Sequence, residues 1–169
     1  MINGIKGIAM YKVDTEAAVR QYADMVYRLA YVNAKNEPDA EDIFQEVFLR
    51  LLKYQDKIEN EEHLKAWLIR VTVNCCHKHF SSLWKRKIVP LEQEIADQQV
   101  FEIEEKNEDV IAAIKQLSPL HRNIIHLHYY EGYTCKEIAA MLDKSESSIK
   151  TGAFRAREVL RGKLEGSNW

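Results

Sequence analysis

The stretch of residues 134–161, TCKEIAAMLDKSESSIKTGAFRAREVLR, combines hydroxyl and basic side chains at spacings that suit contact with duplex DNA. Ile138 and Leu142 predict the apolar face of a short helix, and Asp143 follows in a turn, where aspartate tolerates a left-handed backbone. A second helix is expected to begin with Ser145 as its cap. Its exposed face offers groups that can contact base edges and phosphates in a major groove, namely Ser147, Ser148, Lys150, Thr151, Arg155 and Arg157. The pattern predicts a helix-turn-helix, with an ordinary helical hairpin carrying a solvated basic face as the alternative.

The sequence contains few residues in patterns that indicate catalysis or metal binding. It contains no glycine-rich phosphate loop, no serine elbow and no HExxH pair, so we predict that the protein is not an enzyme and needs no cofactor. Cys75 and His79 are one helical turn apart and could share a face as metal ligands. Cys76 and His77 are expected to point elsewhere, and no second cluster completes a tetrahedron. We therefore predict that no metal is bound.

Composition and charge limit the class of protein. The 169 residues are 46% hydrophobic and 30% charged, and their three cysteines are typical of a reducing compartment. No segment approaches the ~18 apolar residues of a membrane span, and no secretory signal is evident, so we expect a cytoplasmic protein. The net charge of -2 conceals a gradient, because acidic residues dominate 91–110 and basic residues outnumber acidic ones in 115–163. This asymmetry favours polyanion-binding surfaces joined by an acidic connector, although two solvated helical domains with uneven charge would also produce it.

The elements that must position these residues are predicted to be helices. Proline and glycine are few, and helix-forming residues prevail, which indicates an all-α fold. A first helix is expected from Thr15, as its cap, to Asn33. The second helix has the clearest stripe of buried positions, predicted at Ala40, Ile43, Phe44, Val47, Phe48, Leu51 and Leu52. A third helix is expected to bury Leu64, Trp67, Leu68, Val71 and Cys75. We predict one helical domain over residues 14–88, an acidic flexible linker over 89–106, and a second helical domain over 107–165.

Two blocks of the sequence resemble one family. IKQLSPLHRNIIHLHYYEGYTCKEIAAML followed by FRAREVL is similar to the C-terminal DNA-binding domain of extracytoplasmic-function sigma factors. AEDIFQEVFLRLLK followed by HLKAWLIRVTVNCCHKHF resembles their N-terminal domain. The blocks come in the family's order and cover roughly residues 17–163. The resemblance implies a sigma-2-like helical bundle, a sigma-4-like helix-turn-helix domain, and an alternative sigma factor that directs core RNA polymerase to promoters.

The resemblance also implies where core polymerase binds. Opposite its buried stripe, the second helix carries Asp42, Gln45, Glu46 and Leu49 at i, i+3, i+4 and i+7. In the family, the matching surface binds the clamp coiled coil of the largest subunit, and the flap is a further contact of the polymerase. An apolar centre with an acidic rim suits such an interface. A merely solvated acidic face is the alternative.

The resemblance implies two promoter-reading sites. The family reads the −10 element on the separated non-template strand with its third N-terminal helix, which here carries Arg70, Asn74, His77, Lys78, Ser81 and Lys85. Asn74 matches the base-contacting asparagine, and its amide can both donate and accept. Residues 59–63 match the segment that helps form the base pocket, whereas Trp67 is expected to be core. For the −35 element, the predicted residues are Ser147, Ser148, Lys150, Thr151, Phe154, Arg155 and Arg157.

Two departures from the family pattern bear on promoter preference. Lys78 stands where the family often has aspartate, and Gly152 where a basic residue is common in the recognition helix. Members of the family are usually held inactive by an anti-sigma factor, often membrane-bound, which implies such a partner here. A conventional helix-turn-helix regulator, which binds duplex DNA without polymerase, remains the alternative function.

Overall fold

The structure, a computed structural model, describes residues 10–85 and 108–165, with side chains described as far as Ser81 and again from Glu108. Within these ranges the regular structure is helical, which confirms the all-α prediction. The helices are α1 (Thr15–Asn33), α2 (Glu37–Tyr54), α3 (Glu61–Lys85), α4 (Glu108–Lys115), α5 (Pro119–Ile125), α6 (Cys135–Leu142) and α7 (Glu146–Leu164). A 3₁₀ turn at Gln55–Lys57 follows α2, and a π-helical turn at His126–Tyr130 follows α5. The linker predicted over 89–106 lies outside the described residues.

Helices α1, α2 and α3 form an N-terminal bundle around an apolar interior. Its fully buried side chains include Leu29 of α1, Val47 of α2 and Leu68 of α3. The predicted stripe of α2 is buried or half-buried except at Leu52, which is 51% exposed. The prediction is wrong there because Leu52 follows the fully buried Leu51 and is turned about 100° from it around the helix axis.

Side-chain caps fix where the N-terminal helices begin. The Asp14 carboxylate accepts a hydrogen bond from the Ala17 N–H at 3.1 Å, so the cap of α1 is one residue before the predicted Thr15. Thr15 is instead the first helical residue. The side chain of Asn36 caps α2 by accepting from the Asp39 N–H at 2.9 Å. Each cap satisfies a backbone donor that has no partner within its helix.

Helices α4 to α7 form a C-terminal bundle that contains the predicted helix-turn-helix in α6 and α7. Thr134 and Glu137 form a reciprocal capping box at the start of α6. Asp143 occupies the turn in the left-handed conformation, with φ 54° and ψ 51°, as predicted. Ser145 caps α7 by accepting from the Ser148 N–H at 3.1 Å, again as predicted.

The two bundles pack against each other through a continuous apolar core. Ile124, Leu127 and Met141 of the C-terminal bundle are buried in the same cluster as the interior of α1 to α3. The contacts between bundles run from α1 to α4 and α5, and from α3 to α6. In the described part of the chain, no helix combines the length and apolar character that crossing a membrane requires.

Candidate nucleic-acid interface

The outward side of α2 presents the predicted stripe of Asp42, Gln45, Glu46 and Leu49 to solvent. All of them are exposed, and Leu49 is 56% exposed. Arg50 Nε donates a hydrogen bond to Glu46 Oε1 at 2.7 Å, which raises the pKa of Arg50 and holds the Glu46 carboxylate in place. Leu52, which was predicted to be buried, adds a second exposed apolar side chain three residues beyond Leu49. We call this surface the α2 outer face.

The polar side of α3 is a second exposed surface. Arg70, Asn74, His77, Lys78 and Ser81 are all exposed on it, and we call this set the α3 polar face. The opposite side of the helix is buried, as at Leu68 and Thr72, so these polar groups are fixed to a rigid element. The side chain of Lys85, predicted to belong to the same stripe, lies outside the described residues.

A cleft of about 870 Å³ separates part of the α3 polar face from the C-terminal bundle. Asn74, His77 and Ser81 line one wall, and Asn123 and the residues 140–144 line the other. Arg70 reaches across, with Nε 3.2 Å from the Met141 carbonyl oxygen. Part of the predicted single-strand reading surface therefore borders a cleft whose other wall includes the helix-turn-helix, while its side chains remain exposed.

The side chains of Cys75, Cys76 and His79 on α3 are engaged in packing. Cys75 and Cys76 are both buried, and burial raises the pKa of Cys76 to about 12. Cys76 was expected to point away from the face shared by Cys75 and His79; it is buried where the C-terminal bundle packs against its side of α3. His79 Nε2 lies 3.1 Å from Asp39 Oδ1 of α2. Across the described ranges, no three His, Cys, Asp or Glu side chains are grouped so that they could hold a metal ion.

The segment before α3 has a defined local fold. The His63 N–H donates to Asn60 Oδ1 at 2.8 Å, and the Glu59 N–H donates to His63 Nδ1 at 3.2 Å. These bonds order the segment predicted to help form a base pocket. Trp67 is half-buried, packs against the hydrophobic core and lies 6.4 Å from Tyr54 between ring centroids, in agreement with its predicted core role.

The outward side of α7 is the third exposed surface. The predicted residues Ser147, Ser148, Lys150, Thr151, Phe154, Arg155 and Arg157 are all exposed there, and we call them the α7 exposed face. Phe154 is 59% exposed. Arg157 Nη1 donates to the Tyr129 hydroxyl at 3.4 Å, so the π-helical turn after α5 borders this face. The sequence analysis did not include Tyr129.

Gly152 belongs to the opposite side of α7. It is buried against α5, and a Cβ atom placed on it would lie 2.7 Å from Ile124 Cδ1. The absence of a side chain therefore permits the close approach of α5 and α7. The sequence suggested that Gly152 replaces a basic residue that would contact DNA. That interpretation is wrong, because a side chain at this position would point into the bundle.

Comparison with known proteins identifies both halves of the chain. The family model "Sigma-70 region 2" matches residues 18–86, and "Sigma-70, region 4" matches residues 113–162. The ECF RNA polymerase sigma factor SigX of Bacillus subtilis is 28% identical over 160 residues, covering 85% of this chain and 80% of that protein. The ECF sigma factor SigE of Mycolicibacterium smegmatis is 31% identical over 161 residues, covering 86% of this chain and 60% of that protein.

A solved structure has the same fold. It is the sigma factor RpoE from Bartonella quintana, crystallised with the anti-sigma factor NepR. The TM-score is 0.74 at 22% identity, and the alignment covers 92% of this chain and 99% of that chain. Both bundles thus have a counterpart in a protein of known architecture.

Proposed function

The chain belongs to the extracytoplasmic-function group of the sigma-70 family, and from this premise we propose that it binds core RNA polymerase and selects promoters by their −10 and −35 elements. The observation that carries the proposal is the presence of both matched regions, in order, on a chain whose three predicted surfaces are exposed. A sigma factor changes which DNA the polymerase opens and leaves nucleotide chemistry to the polymerase. The chain accordingly acts without catalysis of its own, in the cytoplasm.

The α2 outer face is proposed as the site for the clamp coiled coil of the largest polymerase subunit. Exposed Leu49 and Leu52 supply apolar area, and Asp42 and Glu46 supply an acidic rim. Interfaces of this composition gain affinity from the desolvated centre, while the charges steer association and fix the register. The polymerase flap is proposed as a further contact of the chain.

The α3 polar face is proposed to read the −10 element as a single strand. Binding to a single strand requires cations for the phosphates and hydrogen-bonding groups that reach unstacked bases. Lys78 supplies a cation, and the Asn74 amide can both donate and accept toward a base edge. The ordered segment of residues 59–63 is proposed to border the pocket for an extruded base.

The α7 exposed face is proposed to read the −35 element as a duplex. The first residues of a recognition helix reach base edges in the major groove, which suits Ser147 and Ser148. Arg155 and Arg157 are placed to hold phosphates. Phe154 offers an apolar surface of the kind that contacts thymine methyl groups.

An anti-sigma factor is proposed as the regulatory partner. The proposal draws on the family relationship and on the RpoE structure, which was obtained with such a partner. It also agrees with the division of the chain that we propose, with promoter-reading units at residues 14–88 and 107–165 joined by a linker at 89–106. Two reading units on one chain give a partner two surfaces to mask.

Reconstituted transcription tests the function. We expect purified core polymerase with this protein to initiate at promoters that core polymerase alone ignores, as mapped by sequencing the transcripts. A folded protein that fails to bind core polymerase in a pull-down, yet binds duplex DNA tightly by itself, would establish the helix-turn-helix regulator instead.

A substitution on the α2 outer face locates the polymerase contact. Leu49→Asp places a charge at the apolar centre and should weaken binding to core polymerase at least about tenfold, as expected for a central interface residue. Met10→Asp is the matched control, because Met10 is also an exposed apolar side chain, at 87%. Equal affinities for the two variants would exclude the α2 outer face as the contact.

A further inference from the structure

Two tyrosine hydroxyls bind one carboxylate at the start of α3. The Tyr11 hydroxyl donates to Glu61 Oε2 at 2.7 Å, and the Tyr22 hydroxyl donates to Glu61 Oε1. The hydrogen bonds from Tyr22 and Tyr11 lower the pKa of Glu61, so the group is ionised near neutral pH. Hydrogen bonds to a charged acceptor are stronger than those between neutral groups. Because each carboxylate oxygen has its own donor, the Glu61 side chain is fixed in two directions.

Both tyrosines are anchored by the core of the N-terminal bundle. Tyr22 of α1 is 6% exposed, and burial raises the pKa of its hydroxyl. Tyr11 precedes α1 and packs against the same core, close in sequence to the buried Val13. Gln21 Nε2 also donates to the Tyr22 hydroxyl oxygen at 3.3 Å, from an exposed side chain that water can replace. The packing of the two rings thus holds both hydroxyl donors beside Glu61.

A further contact holds the chain shortly before α3. Thr15 Oγ1, at the start of α1, donates to Gln55 Oε1 in the 3₁₀ turn at 3.1 Å. Ile58, which lies between this turn and α3, is 3% exposed. The segment of residues 59–63 therefore follows a stretch of chain that is already fixed to the bundle, and its own attachment is made at Glu61.

The shape and the position of this segment depend on different hydrogen bonds. Its internal bonds link Glu59 and Asn60 to His63. The side chains of Glu59, Asn60 and Glu62 are exposed to solvent. The internal bonds fix the shape of the segment, whereas the two bonds of Glu61 fix where it lies relative to α1.

We propose that Tyr11 and Tyr22 are positioning residues for −10 recognition, which act through Glu61 to hold residues 59–63 where they receive an extruded base. The inference rests on the proposed function for the role of that segment. A pocket that is ordered before binding loses less conformational freedom when its ligand enters, so its affinity is higher than that of a mobile pocket. Loss of one tyrosine hydroxyl should therefore weaken capture of the base without removing a group that touches it.

Hydrogen exchange of the whole chain tests the positioning without DNA. The Glu59 and His63 N–H groups are hydrogen-bonded within the segment, so their exchange rates report how often it opens. We expect Tyr11→Phe, which removes a hydroxyl and keeps the ring, to speed this exchange about fivefold, the effect of one ordinary hydrogen bond. Tyr31→Phe is the matched control, because it removes a hydroxyl from α1 where the ring contacts Lys115 of α4. It should leave the exchange unchanged.

Promoter opening tests the consequence for the −10 element. The extruded position is the one at which an abasic site in the non-template strand most reduces opening by wild-type holoenzyme, at a promoter mapped by transcript sequencing. On the intact promoter, Tyr11→Phe and Tyr22→Phe should each reduce opening about fivefold. On the promoter with the abasic site, each variant should open at the wild-type rate, because the pocket then has no base to hold. A variant that only destabilised the protein would reduce opening on both promoters by the same factor.

A double-variant cycle tests whether Tyr11 acts through Glu61. Glu61→Ala should reduce opening of the intact promoter at least as much as Tyr11→Phe does. In the Glu61→Ala background, Tyr11→Phe should cause no further reduction, because the acceptor of its hydroxyl is already absent. Glu61→Gln should retain part of the wild-type rate, since its carbonyl oxygen can still accept from one tyrosine. Additive effects of Tyr11→Phe and Glu61→Ala would contradict action through Glu61.

The outcomes separate the positioning role from the proposed function. If wild-type holoenzyme opens promoters and Tyr11→Phe matches it in exchange and in opening, the proposed function stands and the positioning role is wrong. Faster exchange with unchanged opening, or equal losses on the intact and abasic promoters, would also overturn the positioning role. If wild-type holoenzyme opens no promoter, the proposed function fails, and the role of the tyrosines in −10 recognition fails with it.

Discussion

Asn74 is the residue whose position allows the sharpest test of −10 reading. It is exposed on a rigid helix and lines the cleft, so removing its amide should not disturb packing. We expect Asn74→Ala to impair promoter opening by holoenzyme about tenfold and to leave −35 duplex binding within about twofold, since one base contact contributes ~1–3 kcal/mol. Opening is measured with a fluorescent base analogue in the −10 element.

The control for Asn74 is Gln21→Ala, an exposed amide of α1 outside the cleft. This variant should open promoters like the wild type. If Asn74→Ala reduces opening and duplex binding by the same factor, the residue acts on general affinity, and its proposed role in reading an unstacked base is wrong.

Arg155 allows a test of phosphate contact on the α7 exposed face. A cation that neutralises one phosphate releases about one counterion, so its loss lowers the salt dependence of binding. We expect Arg155→Ala to weaken −35 duplex binding similarly across sequences and to reduce the slope of log affinity against log salt by about 1. Lys136→Ala, which removes an exposed cation from α6, should keep the wild-type slope. An unchanged slope for Arg155→Ala would place the arginine away from phosphate.

Individual residues whose burial or exposure the sequence did not predict share one cause. The sequence of a single helix indicates which of its sides is apolar. Which residues outside that side are buried depends on the helix or bundle that packs against it. Cys76 is buried by the C-terminal bundle, and Gly152 by α5. Leu52 shows the reverse, since no described neighbour covers it and it is 51% exposed. Exposure at such positions depends on contacts between residues that are far apart in sequence.

Helices and their ends could largely be predicted at the scale of elements, because their determinants are local. The apolar stripe of α2, the cap at Ser145 and the left-handed Asp143 each depend on a few neighbouring residues. The predicted cap of α1 was wrong by one residue. Asp14 and Thr15 can both cap a helix, and the sequence alone does not show which of them precedes the first helical residue. The π-helical turn at His126–Tyr130 has no local sequence pattern that predicts it.

The crossing of α5 and α7 gives a prediction about stability. Gly152→Ala should gain up to ~1 kcal/mol from helix propensity but lose ~1–3 kcal/mol from overpacking against the fully buried Ile124, for a net loss. Gly162→Ala is the matched control in the same helix, because a Cβ atom there meets nothing within 4 Å. It should be neutral or stabilising. Urea unfolding followed by circular dichroism measures both changes.

A net stabilisation by Gly152→Ala would show that Ile124 yields without strain. In that case the close approach of α5 and α7 would not depend on glycine, and a basic side chain at position 152 would again be conceivable in this helix. A loss of stability in both glycine variants would instead contradict overpacking against Ile124 as the cause, because a Cβ atom at Gly162 meets nothing within 4 Å.

The arrangement of the whole molecule could not be predicted from the sequence. Each bundle has its own apolar stripes, and these stripes do not specify that Ile124 and Met141 join the core of the other bundle. Asn33 and Asn123, whose buried side-chain amides are hydrogen-bonded to each other, are separated by 90 positions, and polar residues at such separations have no periodic signal. The three surfaces were therefore predicted individually, while the contact of Arg70 on the α3 polar face with the end of α6 was revealed by the structure.

The shared core leads to a prediction about cooperativity. Because buried side chains of both bundles form one cluster, opening either bundle exposes apolar area of the other, and the chain should unfold as one unit. In native-state hydrogen exchange, the slowest amides of α1–α3 and of α5–α7 should have equal opening free energies in the wild type. In the double variant Lys115→Ala, Asn123→Ala, the opening free energies of the two sets of amides should differ by more than about 1 kcal/mol, since the coupling between bundles is lost.

The control variant Lys136→Ala should keep the two opening free energies equal. Two distinct values already present in the wild type would show that the bundles are thermodynamically independent, and that their packing contributes little to stability.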